Sequence, residues 1–217
     1  MSIAAIILAT IMIIVASVIA AAPSCNNKIP FSVNYYFVCY KSTDDAHSAD
    51  TISSSVQSYG GAGYIIRLGE EYYVTVACYY NEDDAQSVCG SLYNAGLFCQ
   101  VVGASVEGYD LPRNLSSHRD SIIGSINSLN QLGTIFYEAA NAVDSGLMNN
   151  TALSGVLADA RSALNGILSA NAGNALYDEV KYVIALVDDI SGGYVYAREL
   201  RALQIAICDC ILNVSFN

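Results

Sequence analysis

Two stretches of this sequence share one pattern and decide the fold of the first half of the chain. Tyr36–Ala46 reads YFVCYKSTDDA and Thr75–Ala85 reads TVACYYNEDDA, and the two align without a gap. Each has alternating apolar residues, a Cys-Tyr pair, a polar turn and an Asp-Asp-Ala start to a helical stretch. The duplicated β-α-β pattern predicts one compact domain of βαββαβ topology, with four strands and two helices packed on one face of the sheet.

The spacing of apolar residues gives bounds for these elements. Thr43 and Asp44 are N-cap candidates for the first helix, and Gly60-Gly61 and Gly96 end the two helices because glycine tolerates a left-handed backbone. The predicted strands are Asn34–Tyr40, Tyr64–Leu68, Tyr72–Tyr79 and Leu97–Val102, and the predicted helices are Asp45–Tyr59 and Asp83–Asn94.

The N-terminal segment is long and apolar. Ile3–Ala22 contains about 20 residues without a charge, which is roughly the span of a bilayer's hydrocarbon core. No Lys or Arg precedes Lys28, which favours an uncleaved transmembrane anchor over residues 1–23, although Ala20-Ala21-Ala22 could serve as a signal cleavage site. Both interpretations place the rest of the chain outside the cytoplasm, after a linker over residues 24–33.

Composition excludes several classes of function. The net charge is −11, so the chain lacks the basic surface that nucleic acid or anionic lipid requires, whereas a neutral ligand such as a polysaccharide is compatible with it. The two histidines, His47 and His118, have no nucleophile at a recognisable spacing, and paired acidic residues at the helix starts are explained by the helix dipole. We therefore expect no enzyme activity, no cofactor and no metal site.

Cysteine usage leaves two interpretations open. The seven cysteines are odd in number, so at least one is unpaired or pairs between chains. Cys39 and Cys78 occupy equivalent strand positions in the two repeats, which favours small buried apolar side chains. Disulfides in an exported protein are the alternative.

After a second linker over residues 103–113, only helical periodicity remains. Four amphipathic stretches with short turns between them predict an up-and-down four-helix bundle over residues 114–217. We expect this bundle to be a separate domain that offers a partner or self-association surface. The alternative is that its helices dock on the sheet and form one two-layer domain. The four stripes begin at Ile122, Leu153, Leu176 and Tyr196.

The duplicated segment resembles the SPOR domain, a small module of bacterial cell-division and sporulation proteins. In that family a strand of the type V-Q-V-G-A-F is followed by a polar turn and a helix that begins near an N-A pair. Tyr72–Tyr79, reading YYVTVACY, and Asn81–Ala85, reading NEDDA, match this pattern, and the resemblance covers roughly residues 34–102. It implies a ferredoxin-like fold that binds peptidoglycan glycan strands on the exposed face of its sheet.

The resemblance also assigns positions to this sequence. The family's Gln corresponds to Tyr36 and Thr75, and its aromatic position to Tyr40 and Tyr79; Val38 and Ala77 replace its small Gly. With helices on one face, we expect a glycan-binding surface on the other, made of Asn34, Tyr36, Tyr40, Tyr73, Thr75 and Tyr79. Tyrosine suits sugar, because its ring stacks on C–H faces while its hydroxyl forms hydrogen bonds. The alternatives are that tyrosine is simply favoured in strands, or that this face packs on the bundle or on another protein.

Overall fold

A computed structural model describes residues 28–216, which form a mixed α+β structure with antiparallel sheets. The predicted anchor over Ile3–Ala22 lies outside the described residues. Among residues 28–216, no helix is long and apolar enough to cross a membrane.

The strands are β1 (Lys28–Ile29), β2 (Val33–Thr43), β3 (Tyr64–Leu68), β4 (Glu71–Tyr79), β5 (Gln100–Val106) and β6 (Tyr109–Asp110). The helices are α1 (Ala46–Ser58), α2 (Glu82–Asn94), α3 (Arg119–Asp144), α4 (Asn150–Ala170), α5 (Ala175–Ile190) and α6 (Ala197–Asn213), with a 3₁₀ helix at Arg113–His118.

The first half has the βαββαβ order that the repeat predicts. Its four strands are arranged β3-β4-β2-β5, all antiparallel, and α1 and α2 pack against this sheet. Asn81 caps α2 by accepting the backbone N–H of Asp83 at 2.8 Å, whereas the cap of α1 is Asp45 rather than Thr43 or Asp44. The last strand begins at Gln100, three residues after the predicted start, because Leu97 to Cys99 form the turn that leaves α2.

The second half forms the four predicted helices. The predicted apolar stripes are buried along α3, α4 and α5, and α6 is buried on every side over residues 203–208. An amphipathic helix at the surface of a bundle buries one stripe, so a helix buried all round needs neighbours on all sides. The sheet supplies the remaining neighbour of α6.

The sheet and the bundle share one hydrophobic core. Tyr35, Phe37 and Cys39 of β2 belong to the same buried cluster as Leu129 of α3 and Ile207 of α6. Polar contacts cross the same boundary: the Gln204 side chain donates to the Cys78 carbonyl at 3.1 Å, and the Tyr35 hydroxyl donates to Asn130 at 3.1 Å. The helices therefore dock on the sheet, which is the alternative arrangement that the sequence left open. Independent folding of residues 114–217 is a separate question, which the fragment experiment in the Discussion addresses.

Both predicted linkers carry ordered structure where they are described. Lys28–Ile29 pairs with Tyr109–Asp110 in a two-stranded antiparallel sheet. Ile29 is fully buried, and the Tyr109 hydroxyl donates to the Ile211 carbonyl at 2.7 Å. Burial of apolar residues from a connecting segment stabilises the fold, and in this structure these residues of both segments join the core.

The described cysteines include one disulfide, between Cys89 of α2 and Cys99 before β5. Cys39, Cys78, Cys208 and Cys210 are buried and free. Burial raises the pKa of the Cys39 thiol to about 12 and raises that of Cys78 as well, so both stay protonated and behave as small apolar side chains. The interpretation as buried apolar residues is confirmed for these four, and the disulfide alternative holds for Cys89 and Cys99; Cys25 lies outside the described residues.

Candidate functional site

The expected glycan-binding surface is not formed, because its members lie on different parts of the sheet. We name the two sheet faces by what covers them. The bundle face carries Tyr35, Phe37 and Cys39, and the helix face carries Val74, which packs on α1. The expectation that one face stays open was wrong, since α3 and α6 cover the bundle face.

Thr75 and Tyr73 belong to the covered face. Thr75 is 0 % exposed, and its hydroxyl donates to the Tyr64 carbonyl at 2.7 Å. Tyr73 is half-buried against the main core, and a hydrogen bond with Glu71 raises its pKa. Tyr79 is also half-buried, and its ring meets the Tyr137 ring of α3 edge-on, with centroids 5.9 Å apart.

The other three predicted residues lie elsewhere. Tyr36 is half-buried, with its ring over Gly103 of β5, and Asn34 is exposed near the start of β2. Tyr40 is exposed and lines a groove on the helix face. The six predicted residues therefore do not form a common surface.

A β-bulge explains why equivalent positions of the two repeats diverge. Val38 pairs with Ala77 and Cys39 pairs with Thr75, so Val76 is an extra residue in β4. An extra residue reverses the alternation of side chains beyond it. Thr75 therefore faces the bundle, although its repeat equivalent Tyr36 does not.

The helix face carries a different candidate site, which we call the aromatic groove. It runs between α1 and α2, and its exposed rim is aromatic: Tyr40 is 37 % exposed, Tyr59 77 % and Phe98 72 %. Tyr93, 61 % exposed, supports Phe98 edge-on with centroids 5.6 Å apart. The groove is lined by Tyr40, Ser55, Val56, Tyr59, Gly61, Val76, Leu92, Leu97, Phe98 and Cys99.

Local structure holds the groove in shape. The Cys89–Cys99 disulfide ties the turn that carries Phe98 to α2. On the opposite side, Gly61 lies so close to Val56 that an added Cβ would be 2.6 Å from Val56 Cγ1. Tyr59 and Phe98 are therefore presented by braced segments at the ends of two helices, and Tyr40 is presented by β2.

A second concavity, which we call the junction cleft, lies where the sheet edge meets α5 and α6. Its volume is about 340 Å³, and its lining mixes tyrosine with polar side chains. The lining residues are Gln57, Ala62, Gly63, Tyr64, Ile65, Tyr182, Leu186, Asp189, Ile190, Glu199, Ala202 and Leu203.

Tyr64, which lines the junction cleft, takes part in a polar contact with Asp209 of α6. The Tyr64 hydroxyl donates to Asp209 Oδ2 at 3.3 Å, and Asn213 donates to Asp209 Oδ1 at 2.6 Å. Burial raises the pKa of Asp209 to about 6, with a smaller contribution from the nearby Glu179 carboxylate. Burial is the main cause that raises the pKa of Tyr64, and the negative charge of Asp209 raises it further. The Tyr64 hydroxyl therefore stays protonated and remains a hydrogen-bond donor.

Sequence reasoning missed Tyr59 and Tyr93 because it searched strand faces rather than helix ends, and it missed Phe98 because it placed that residue inside the last strand. A signal was present: in both repeats an aromatic residue stands within three positions before the glycine that ends the helix, at Tyr59-Gly60 and at Tyr93 before Gly96. His47 and His118 are both exposed. Within residues 28–216, no group of His, Cys, Asp and Glu side chains is placed to hold a metal ion.

The chain is similar to a solved structure, the solution structure of the peptidoglycan-binding domain of the B. subtilis cell wall lytic enzyme CwlC. The two share 17 % sequence identity, the match covers 40 % of this chain and 99 % of that one, and the TM-score is 0.29. No protein-family model and no curated protein matches this chain.

Proposed function

We propose that this protein is a non-catalytic, membrane-anchored envelope protein that binds peptidoglycan glycan strands through a SPOR-like, ferredoxin-like unit, in cell division or sporulation. The observation that carries this proposal is the aromatic groove, whose rim exposes Tyr40, Tyr59 and Phe98 on one surface. The repeat in the sequence and its resemblance to the SPOR domain supply the ligand class.

The chemistry of the groove suits a neutral polymer. Aromatic rings offer flat apolar surfaces to sugar C–H faces, and tyrosine hydroxyls add hydrogen bonds at the rim. The depression between the rim side chains is small, about 50 Å³, so a sugar is proposed to stack on the exposed rings rather than to enter an enclosed pocket. A net charge of −11 does not oppose a glycan strand that carries no peptide carboxylates.

The proposed contact surface differs from the one that the resemblance implied. Since the bundle face lies under α3 and α6, a glycan strand is proposed to lie on the helix face instead. Tyr40 is the predicted residue that lines this groove, and Tyr59 and Phe98 are proposed as its main sugar contacts.

Retention on sacculi tests the proposal. Full-length protein in detergent micelles should co-sediment with purified sacculi, and more so after an amidase has removed the stem peptides. Tyr59→Ala and Phe98→Ala should each reduce the retained fraction several-fold. Tyr194→Ala is the matched control, because Tyr194 is 69 % exposed and lines neither the groove nor the cleft. No retention on either kind of sacculus refutes peptidoglycan binding.

Exposure outside the cytoplasm is part of the same proposal. It rests on the apolar Ile3–Ala22 segment. Protease added to intact protoplasts should degrade the residues beyond Pro23, and full protection would refute this placement.

A protein–protein assembly module is the second candidate function. It is favoured by the lining of the aromatic groove, which apart from the rim hydroxyls and Ser55 is mostly apolar. Exposed aromatic side chains around an apolar depression also suit a protein partner. Under this alternative, Tyr59→Ala and Phe98→Ala abolish association with a protein partner and leave sacculus retention unchanged.

A further inference from the structure

The junction cleft is built jointly by the two halves of the chain. Gly63 and Tyr64 contribute its sheet side, and Tyr182, Asp189 and Glu199 contribute its bundle side. Its volume of about 340 Å³ falls within the range of small-ligand sites, which begins near 300 Å³. Neither half forms this cleft alone.

One segment of backbone separates the junction cleft from the aromatic groove. Val56 and Tyr59 line the groove, while Gln57, Ala62 and Gly63 from the same stretch line the cleft. The two concavities are therefore lined from one short segment, the C-terminal end of α1 and the residues that follow it, and Tyr59 contributes to the groove.

This shared wall is rigid. Ala62 donates its backbone N–H to the Val76 carbonyl at 3.0 Å, and Gly63 donates to the Thr75 carbonyl at 2.9 Å. Gly63 has a φ of +63°, and a Cβ there would lie 2.8 Å from the Ser53 carbonyl oxygen, so only glycine fits. Because this wall is held by hydrogen bonds to β4, the groove and the cleft keep a fixed position relative to one another. Such preorganisation lowers the entropy cost of binding one ligand across both.

The side chains of the cleft suit a hydroxyl-rich ligand. The Tyr182 ring is 49 % exposed. The Asp189 carboxylate is exposed and makes no hydrogen bond or ion pair with the described residues, and Gln57, another residue of the lining, is also exposed. Glu199 is already engaged, since one oxygen accepts the Tyr196 backbone N–H at 2.7 Å. An aromatic ring with free acceptors and an amide matches sugar hydroxyls and C–H faces.

We propose that the junction cleft is a second sugar subsite, so that a strand in the aromatic groove passes Tyr59 and continues into the cleft. This inference rests on the proposed function and deepens it, because it assigns the bundle a part in binding. Tyr182 stacks on a sugar ring, and Asp189 and Gln57 bind its hydroxyls. A strand long enough to reach both concavities binds more tightly than a short one.

Chain-length dependence tests this inference. The probes are β-1,4-linked N-acetylglucosamine oligomers, a disaccharide and a hexasaccharide, titrated calorimetrically into the full-length protein. The hexasaccharide should bind at least about tenfold more tightly, as expected when a second subsite contributes. Tyr182→Ala and Asp189→Asn should each remove most of that difference and leave disaccharide affinity unchanged.

Matched variants separate the possible outcomes. Asp178→Asn is the control for Asp189→Asn, because Asp178 is an exposed carboxylate at the other end of the same helix. If Tyr59→Ala weakens binding of both probes while the cleft variants bind like the wild type, the second subsite is refuted and the groove stands. Equal affinity for both probes also refutes it. If neither probe binds and sacculi are not retained, the proposed function itself fails.

Folding is checked alongside binding. Tyr182→Phe keeps the ring and removes only the hydroxyl, so it should retain most of the length dependence. Loss of length dependence in Tyr182→Phe and Tyr182→Ala alike, with unchanged circular dichroism, would refute ring stacking by Tyr182.

Discussion

The two faces of the four-stranded sheet are both covered, but by different means. On the bundle face, large side chains such as Tyr35 and Phe37 are fully buried under α3 and α6 as part of the main core. On the helix face, α1 buries a small cluster of Ala49, Val56 and Val74, and the space between α1 and α2 stays open as the aromatic groove.

This difference assigns the two faces separate roles. Stability concentrates where apolar area is buried, so the bundle face holds the protein together. The helix face leaves aromatic rings exposed, which gains nothing for folding and is typical of an interaction surface. The resemblance to a family that uses its open sheet face therefore did not locate the groove, because in this chain that face belongs to the core.

The largest expected effect comes from removing the sheet altogether. A fragment of residues 111–217 lacks the neighbour that buries one side of α6, where residues 203–208 are all buried. We expect it to lose its cooperative thermal transition and to bind a hydrophobic dye, since a helix segment that is buried on all sides needs a partner on each of them. A sharp transition in calorimetry would instead show that the bundle is an independent domain.

Single truncations compare the two faces directly. Phe37→Ala, on the bundle face, should lower the free energy of unfolding by about 3–5 kcal/mol. Val74→Ala, on the helix face, should lower it by about 2 kcal/mol, as expected for a smaller deletion. Urea unfolding measures both, and the exposed Leu147→Ala should change little. Equal losses at Phe37 and Val74 would contradict the assignment of stability to the bundle face.

The disulfide tests the bracing of the helix face. Replacing Cys89 and Cys99 by serine should cost about 2–3 kcal/mol, from the short loop that the bond closes. The loss should also weaken binding in the groove, because Phe98 precedes Cys99. A reducing agent should destabilise the wild type and leave the double variant unchanged; an effect on the double variant would point to another bond.

The smallest expected effect is a pH dependence from Asp209. Its pKa is raised from 3.8 to about 6, so the folded state binds more protons than the unfolded state between these values, and stability falls as pH rises through this window. The free energy of unfolding should therefore decrease between pH 4 and pH 7, and Asp209→Asn should make this decrease smaller by about 1–2 kcal/mol. Glu179, whose pKa is also raised by burial, leaves a residual slope. Unfolding at pH 4 and pH 7 measures the change, with Asp50→Asn, which removes an exposed carboxylate of α1, as a control that keeps the wild-type slope.

Much of the fold could be predicted from local pattern. The repeat gives the βαββαβ order, and β3 begins and ends where predicted, at Tyr64 and Leu68. The four helices follow from apolar spacing of period near 3.6 residues, although α6 buries more than one stripe. The site could not be predicted in the same way, because Thr75 and Tyr36 look equivalent in sequence and the bulge at Val76 separates them.

The sequence by itself determined the elements, since hydrophobic periodicity, caps and glycines act over a few residues at a time. Only the tertiary structure decided which face of the sheet the bundle covers, because an apolar or tyrosine-rich strand face suits a protein core as well as a ligand. Burial of Phe37 and Cys39 against α3 and α6 made that choice. Tyr59 and Phe98 stay exposed after the two helices of the first half. The alternation of residues along the strands does not predict a surface at these positions.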